Sequence, residues 1–326
     1  MQGKITLEDH FGVAATLETS PYAGTPIWNE LRSRLLDFED QRLRSMDKAG
    51  IEFMVLSLNA PAIQAIHVTE RAVELARQAN DFLAEQVRKR PDRFIGLAAL
   101  PMQDPELAAI ELQRCVKDLG FRGILVHGFS QVGSTDTVVY YDVPQYRSFW
   151  QVVESLDVPF YLHPRNPLPT RSPIYEGHAW MIGPTWAFAA ETAVHALRLI
   201  GSGLFDDYPR LNIILGHFGE GLPFYLWRID NHSNWMNTPH KTAALKPVGD
   251  YFRENFHVTI SGHLSTPALL HALAEIGPDR IMFSTDYPFE DLIEAAQWFD
   301  SASIDETDRA KIGRTNAVKL LKLAGA

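Results

Sequence analysis

Residues 158–164 read Val-Pro-Phe-Tyr-Leu-His-Pro, an unbroken apolar run that ends in a histidine. Because the run does not alternate between apolar and polar side chains, it is typical of a strand buried on both faces, as in a parallel sheet covered by helices. Seven further runs of this kind lie along the chain, at 5–7, 54–58, 94–100, 123–126, 211–215, 256–260 and 280–283. The sequence therefore predicts eight buried parallel strands.

The segments between these runs have helical periodicity. In 68–89, apolar residues recur every three or four positions, and in 104–119 Asp104 can cap a helix whose first position is Pro105. Cys115 falls on the apolar stripe of this second helix, so we interpret it as a core residue rather than a nucleophile. Strands and helices that alternate eight times predict an α/β fold, a (β/α)8 TIM barrel. A doubly wound sheet is the alternative, but no Gly-x-Gly-x-x-Gly follows the first run.

The barrel is expected to occupy the whole chain, 1–326, as a single domain. Two irregular stretches interrupt the pattern and are expected to be active-site loops, because long loops in compact domains are usually functional. They are 12–27, after the first strand, and the proline-rich 164–185, after the fifth. The segment 304–322 is predicted to form a final amphipathic helix.

Composition narrows the class of protein. Thirty basic and 40 acidic side chains give a formal net charge of −10, which argues against binding to nucleic acid or to an anionic membrane surface. No apolar segment is long enough for a membrane span, and the first residues lack the order of a signal peptide. The single cysteine cannot form an internal disulfide, so we expect a cytoplasmic enzyme.

Metal-binding and titratable side chains follow four of the predicted strands. In a barrel of this kind the active site lies at the carboxyl ends of the strands, so these side chains are expected to meet at one rim. They are Glu8-Asp9-His10 after the first strand, His163 after the fifth, His217 and Glu220 after the sixth, and Asp286 after the eighth.

These side chains suit a metal site. Glu8 and His10 are two residues apart on a strand and point the same way, whereas Asp9 points to the other face. Two carboxylates, Glu8 and Asp286, and two imidazoles, His10 and His163, suit a divalent transition metal with one open position. Imidazole ligands disfavour calcium, while zinc, manganese and iron all fit.

Other residues are candidates for substrate binding. His127 and His263 follow the fourth and seventh strands and are expected to line the pocket. Arg228 is a cation that would attract an anionic substrate. Phe188, just after the proline-rich loop, is a candidate wall for an aromatic substrate, although aromatic residues there also suit core packing or a subunit contact.

These motifs resemble those of the metal-dependent amidohydrolase superfamily, and more narrowly its branch of non-oxidative decarboxylases that act on ortho-hydroxybenzoates. The resemblance covers nearly the whole chain and is carried by 3–11, 56–61, 158–167, 216–220 and 283–290. It implies an amidohydrolase-like barrel, and a homotetramer arranged as a dimer of dimers.

The resemblance also implies roles for the strand-end residues. Glu8, His10, His163 and Asp286 match the family's metal ligands, and Asp286 matches its proton donor. His217 and Glu220 match a pair that orients Asp286 and supplies it with protons. His127 stands where binuclear hydrolases carry a bridging lysine. A single divalent metal per chain is therefore expected, manganese or zinc with magnesium less favoured, and no organic cofactor.

A few positions depart from the 2,6-dihydroxybenzoate subgroup of that branch. They are Asp9, His127, His263 and Tyr287, and Tyr287 joins the candidates for substrate binding. The forms Ser-Gly-His and Asp-Tyr-Pro-Phe-Glu look more like the 2,3-dihydroxybenzoate subgroup. The identity of the pocket therefore stays open between these two substrates.

The predicted function is the reversible, metal-dependent decarboxylation of an ortho-hydroxybenzoate to a phenol and carbon dioxide. The candidate substrates are 2,6- and 2,3-dihydroxybenzoate, with salicylate as a third. The alternative is a metal-dependent hydrolase of a lactone, ester or amide, in which Asp286 would act as the base. A non-catalytic binding protein would need only the barrel.

Overall fold

The structure, a computed structural model, describes residues 1–17, 20, 22–233 and 242–323. Eight parallel strands form one sheet in which each strand pairs with the next in chain order. We number them β1 to β8: Lys4–Phe11, Ile51–Leu58, Phe94–Ala98, Gly123–His127, Phe160–His163, Ile213–Leu215, Phe256–Thr259 and Ile281–Met282. Each of the eight apolar runs overlaps one of these strands.

The segment after β8 returns to β1 and nearly closes the sheet into a barrel. The backbone N–H of Asp286 donates to the carbonyl of Glu8 at 2.9 Å, and that of His10 donates to the carbonyl of Tyr287 at 2.7 Å. The hydroxyl of Ser284 accepts from the N–H of Glu8 at 2.7 Å. The predicted (β/α)8 barrel is confirmed, and the doubly wound sheet is excluded.

Helices cover the outside of the barrel. The predicted cap is present, since the carboxylate of Asp104 accepts from the N–H groups of Glu106 and Leu107 at 2.9 and 3.0 Å. The α-helices are Ala14–Leu17, Trp28–Leu36, Gln41–Ala49, Thr69–Lys89, Pro105–Lys117, Arg147–Leu156, Ala187–Gly201, Leu204–Asp207, Leu222–Ser233, Val248–Asn255, Thr266–Ile276, Leu292–Ser301, Glu306–Ala310 and Asn316–Leu321.

The apolar core has two layers. The larger layer lies between the strands and the helices, and it includes Cys115, which is fully buried as predicted. The smaller layer fills the inside of the barrel, where Ala317 and Leu321 of the last helix join side chains of the strands. The strand residues of this layer are Ile5, Leu7, Val55, Ile95, Leu97, Leu125, Tyr161, Ile214 and Met282.

The irregular stretches have local structure. Four short 3-10 turns follow one another in the proline-rich loop: Pro169–Arg171, Pro173–Tyr175, Ala179–Met181 and Gly183–Thr185. In the loop 12–27, residues 18, 19 and 21 lie outside the described residues.

The carboxyl-terminal segment is helical, but it is not the uniform helix that its periodicity predicts. A π-helical turn, Lys311–Thr315, separates its last two α-helices. Across the described ranges, no helix combines the length and the apolar character needed to cross a membrane.

Candidate metal centre

A register irregularity in β1 places the acidic and imidazole groups inside the barrel. Thr6 pairs with Met54 of β2, but Asp9 pairs with Leu56, so β1 contains one extra residue in this interval. Because Leu7 packs inside the barrel, strict alternation would turn Glu8 outward. The extra residue resets the alternation, as a β-bulge does, and Glu8 reaches the interior.

Glu8, His10, His163 and Asp286 converge at the carboxyl end of the barrel. Each offers one ligand atom, and these four atoms lie within 4.8 Å of one another. The Nε2 atom of His163 is 3.1 Å from Oε1 of Glu8, and Nε2 of His10 is 3.3 Å from Oδ1 of Asp286. The structure therefore brings together the four side chains that were predicted from the sequence as metal ligands.

Asp9 lies outside this cluster. One of its carboxylate oxygens accepts from the Thr285 hydroxyl and, at 3.1 Å, from the backbone N–H of Tyr287. Burial raises the pKa of Asp9 to about 6, although these hydrogen bonds oppose the shift. Its position agrees with the expectation that it points away from Glu8 and His10.

Three hydroxyl groups hold one oxygen of Glu8. Oε2 accepts from Tyr161 and Ser261, and from Thr259 at 3.3 Å. Burial disfavours the ionised form, but the nearby imidazoles of His217, His163 and His10 together outweigh it, so the pKa of Glu8 lies well below its usual range. The other oxygen, Oε1, is buried and has no hydrogen-bond partner among the described residues.

His10 likewise presents an unpaired atom. The Ser57 hydroxyl donates to the backbone carbonyl of Asp9 at 3.4 Å, so at 3.1 Å it accepts from Nδ1 of His10. Nε2 of His10 then carries a lone pair, and within the described part of the chain it has no hydrogen-bond partner. Buried polar atoms are normally paired, so an unpaired carboxylate oxygen beside an unpaired imidazole nitrogen fits a divalent cation.

His217 and Glu220 lie on a left-handed turn after β6. The φ angles of His217, Phe218, Gly219 and Glu220 are 52°, 56°, 79° and 56°. Such backbone costs roughly 1–2 kcal/mol for each residue with a side chain, and strain of this kind concentrates at functional sites. The turn brings Nδ1 of His217 to 2.7 Å from Oε1 of Glu220 and leaves Nε2 3.7 Å from Oδ2 of Asp286.

The surroundings of His217 and Asp286 shift their pKa values in opposite directions. Burial disfavours a charged His217, but the carboxylates of Glu220 and Glu8 outweigh it and raise the pKa of His217 well above its usual value. Burial would raise the pKa of Asp286, yet the nearby imidazoles of His10 and His217 lower it. These two shifts favour a protonated His217 beside an ionised Asp286.

The open side of the cluster lies at Asp286 and His217. Their side chains are 16% and 21% exposed, whereas those of Glu8 and His10 are at most 1% exposed. Two aromatic rings stand near this opening: the Phe289 ring is 5.7 Å from that of His10, and Tyr22 stacks on Phe289 at 5.2 Å. Neither ring was predicted to line the site: Tyr22 lies in the irregular loop 12–27, and Phe289 lies within the motif 283–290 but was given no role.

The predicted substrate-binding residues have different surroundings in the structure. Phe188 is half-buried at the start of the helix Ala187–Gly201, and the ring of His263 is 5.4 Å from that of Phe218 in the left-handed turn. Both ring nitrogens of His127 contact protein atoms: Nε2 is 2.8 Å from the Leu58 carbonyl and Nδ1 is 2.9 Å from Nδ1 of His163.

Arg228 and Tyr287 have other neighbours. Arg228 is exposed on the helix Leu222–Ser233, where it lines a cavity of about 440 Å³ with Ala193 and Leu197. The ring of Tyr287 packs beneath the guanidinium of Arg42 at 4.8 Å. The described contacts of these two side chains include none of the four clustered groups.

Comparison with known proteins identifies the family to which the chain belongs. Residues 25–323 match the amidohydrolase family, and the chain belongs to that family. It is 61% identical over 327 residues to the gamma-resorcylate decarboxylase of Rhizobium sp. (strain MTP-10005), with all of both chains covered.

Solved structures agree with this likeness. A 2,6-dihydroxybenzoate decarboxylase complexed with 2,6-dihydroxybenzoate superposes with a TM-score of 0.97 at 61% identity, covering 99% of this chain and 100% of the other. A dihydroxybenzoic acid decarboxylase from Polaromonas sp. JS666, with bound manganese and the inhibitor 2-nitroresorcinol, gives 0.97 at 61% identity, covering 100% and 98%. The prediction of a carboxy-lyase is confirmed, and these relatives do not support the hydrolase alternative.

Proposed function

We propose that this protein decarboxylates 2,6-dihydroxybenzoate to resorcinol and carbon dioxide, and catalyses the reverse reaction at high bicarbonate. The observation that carries the proposal is the convergence of Glu8, His10, His163 and Asp286, with Nε2 of His217 at 3.7 Å from Oδ2 of Asp286. The relatives that match along the whole chain favour 2,6-dihydroxybenzoate over the 2,3-isomer.

We propose one divalent metal held by Glu8, His10, His163 and Asp286. A mixed carboxylate and imidazole set suits manganese or zinc better than magnesium, and the Polaromonas relative holds manganese. When bound, the metal would orient an anionic substrate and stabilise negative charge. The aromatic ring can itself accept the electron pair that the departing carboxyl group leaves, so no organic cofactor is needed.

The residues of the open side supply the proton. Loss of carbon dioxide breaks the bond between the ring and the carboxyl carbon, and a proton takes the place of the carboxyl group. Asp286 is the group proposed to deliver that proton to the ring carbon. His217 lies 3.7 Å away and holds a proton that it can pass to Asp286, while Glu220 keeps its ring in place.

The substrate is proposed to enter at this open side. Tyr22 and Phe289 would form one aromatic wall there, and His263, whose ring lies 5.4 Å from that of Phe218, is proposed to line the pocket as well. Phe188 stays a prediction for substrate binding. Arg228, Tyr287 and His127 stay predictions for substrate binding, and their contacts in this chain give no support for it.

The purified, manganese-loaded protein provides the test. It is incubated with 2,6-dihydroxybenzoate, 2,3-dihydroxybenzoate or salicylate, and both carbon dioxide and the phenol are measured. We expect resorcinol from the 2,6-isomer at the highest kcat/KM, and carboxylation of resorcinol when bicarbonate is in excess.

A panel of lactones, esters and amides is the matched control for the reaction class. Faster turnover of 2,3-dihydroxybenzoate would make the proposed substrate wrong but keep the reaction. Hydrolysis of a lactone without decarboxylation of any hydroxybenzoate would overturn the proposed function itself.

We also propose that the chain assembles as a homotetramer, a dimer of dimers. The helices Ala187–Gly201 and Leu222–Ser233 lie side by side, since both line the cavity that contains Arg228. Large apolar side chains are exposed on them and on the preceding loop, and such patches mark interaction sites. They are Ile174, Trp180, Trp186, Val194, Phe224 and Trp227.

A charge placed in this patch is expected to break the assembly. Trp227 is 74% exposed, and Trp227→Glu should lower the mass measured by analytical ultracentrifugation. Ile110 is 65% exposed on a different helix, so Ile110→Glu is the control and should leave the mass unchanged. A parent protein that sediments as a monomer would contradict the proposal.

A cytoplasmic location is proposed as well. Cys115 is the only cysteine of the chain and is buried, so the fold uses no disulfide. Proteins without disulfides are the rule in reducing compartments.

A further inference from the structure

His127 lies directly behind the candidate ligand His163. The two residues are paired in register at the ends of β4 and β5, and both are buried. Their Nδ1 atoms are 2.9 Å apart. A contact this short between two ring nitrogens requires one of them to donate a proton and the other to accept it.

Two backbone carbonyls decide which nitrogen donates. The Leu58 carbonyl is 2.8 Å from Nε2 of His127, and the Pro164 carbonyl is 2.8 Å from Nδ1 of His163. A carbonyl can only accept, so Nε2 of His127 and Nδ1 of His163 each carry a proton. A second proton on His127, at Nδ1, would face the proton on Nδ1 of His163, so the contact is compatible only with a neutral His127.

We infer that His127 is a positioning residue that fixes the tautomer and the ring orientation of His163, so that Nε2 of His163 presents its lone pair to the metal. The inference rests on the proposed metal site, whose Glu8 Oε1 lies 3.1 Å from this nitrogen. The opposite tautomer of His163 would set two lone pairs against each other at the Nδ1 contact. His127 thereby disfavours the form of His163 that cannot bind a metal.

This role explains why His127 offers little to a substrate. One ring nitrogen is bound to Leu58 and the other to His163, so neither is free for an oxygen of the substrate. Groups that orient a ligand histidine through its second nitrogen are a general feature of metal sites, and their loss typically lowers metal affinity by about 10–100-fold.

Metal affinity and histidine tautomers test the inference. We expect His127→Leu to weaken Mn²⁺ binding, measured by calorimetry on metal-free protein, by roughly 10–100-fold. His127→Asn should recover most of the affinity, because its amide can accept from His163 and donate to Leu58. Long-range ¹H–¹⁵N spectra of the metal-free protein, labelled at histidine, should show Nδ1 of His163 protonated in the parent. In His127→Leu only the Pro164 carbonyl still favours this tautomer, so the share of the other tautomer should rise.

The control is His195→Leu, which removes another fully buried histidine far from the cluster in sequence. It should lower the melting temperature without a change in Mn²⁺ affinity. If His127→Leu does not fold, His127→Phe keeps the volume of the ring and takes its place.

The parent spectrum alone can overturn the inference, since a proton on Nε2 of His163 in the metal-free protein contradicts it. Parental Mn²⁺ affinity in a folded His127→Leu or His127→Phe variant would do the same. Failure of the parent to bind Mn²⁺ would instead count against the proposed metal site, and failure to decarboxylate would count against the proposed reaction.

Discussion

Replacement of Asp286 by asparagine is expected to abolish most decarboxylase turnover while Mn²⁺ still binds. The asparagine side chain keeps an oxygen at the position of Oδ1, 3.3 Å from Nε2 of His10, but it cannot receive a proton from His217 and deliver it. General acid catalysis typically contributes about 10²–10⁴-fold, so kcat should fall by a factor within this range. Single-turnover assays with 2,6-dihydroxybenzoate, together with metal analysis of the same sample, measure both effects.

Glu290 offers a matched control for this variant. It lies four residues further along the chain, where burial and the nearby Asp286 raise its pKa, but it is not one of the four clustered groups. Glu290→Gln should therefore retain both metal and turnover. If Asp286→Asn turned over at the parental rate, Asp286 would not be the proton donor.

Replacement of Glu8 by glutamine is expected to abolish both metal binding and turnover. Oε2 of Glu8 already accepts from three hydroxyls, and Oε1 is the buried oxygen left for a cation. Glutamine has no negative charge, and its amide group can fill only one of these two roles. Because loss of an orienting group alone costs about 10–100-fold in metal affinity, loss of this ligand should cost more than about 100-fold.

Glu111 is the control for the removal of a buried carboxylate. It is bound by Asn80 and Arg114 on the outer layer of the barrel. Glu111→Gln should lower the melting temperature with unchanged Mn²⁺ affinity, measured by calorimetry. A Glu8→Gln protein that binds Mn²⁺ as tightly as the parent would remove Glu8 from the ligand set.

The barrel could be predicted from the sequence because burial on both faces leaves a continuous apolar run in each strand. The convergence of Glu8, His163 and Asp286 followed from the rule that the carboxyl ends of parallel strands share one rim. The alternation rule was also used to pair Glu8 with His10, and that pairing is present in the structure.

The extra residue in β1 was not predictable, although the position of Glu8 depends on it. With Leu7 inside the barrel, the alternation rule alone would have pointed Glu8 outward. The contact between His127 and His163 depends on strand register, which no local pattern shows. The nearness of Tyr22 to Phe289 depends on loop geometry, and the exposure of Arg228 depends on which helix face meets the barrel.

The reset in β1 has a consequence for how this protein can vary. Residues before the reset point inward at odd positions, such as Ile5 and Leu7, and those after it at even positions, such as Glu8 and His10. Exchange of one apolar residue for another at position 5 or 7 disturbs only local packing. Deletion of one residue there would leave the composition of the chain almost unaltered. It would nevertheless turn the side chains of Glu8 and His10 away from those of His163 and Asp286. The chemistry of the site is thus encoded in the number of residues in this strand as much as in their identity.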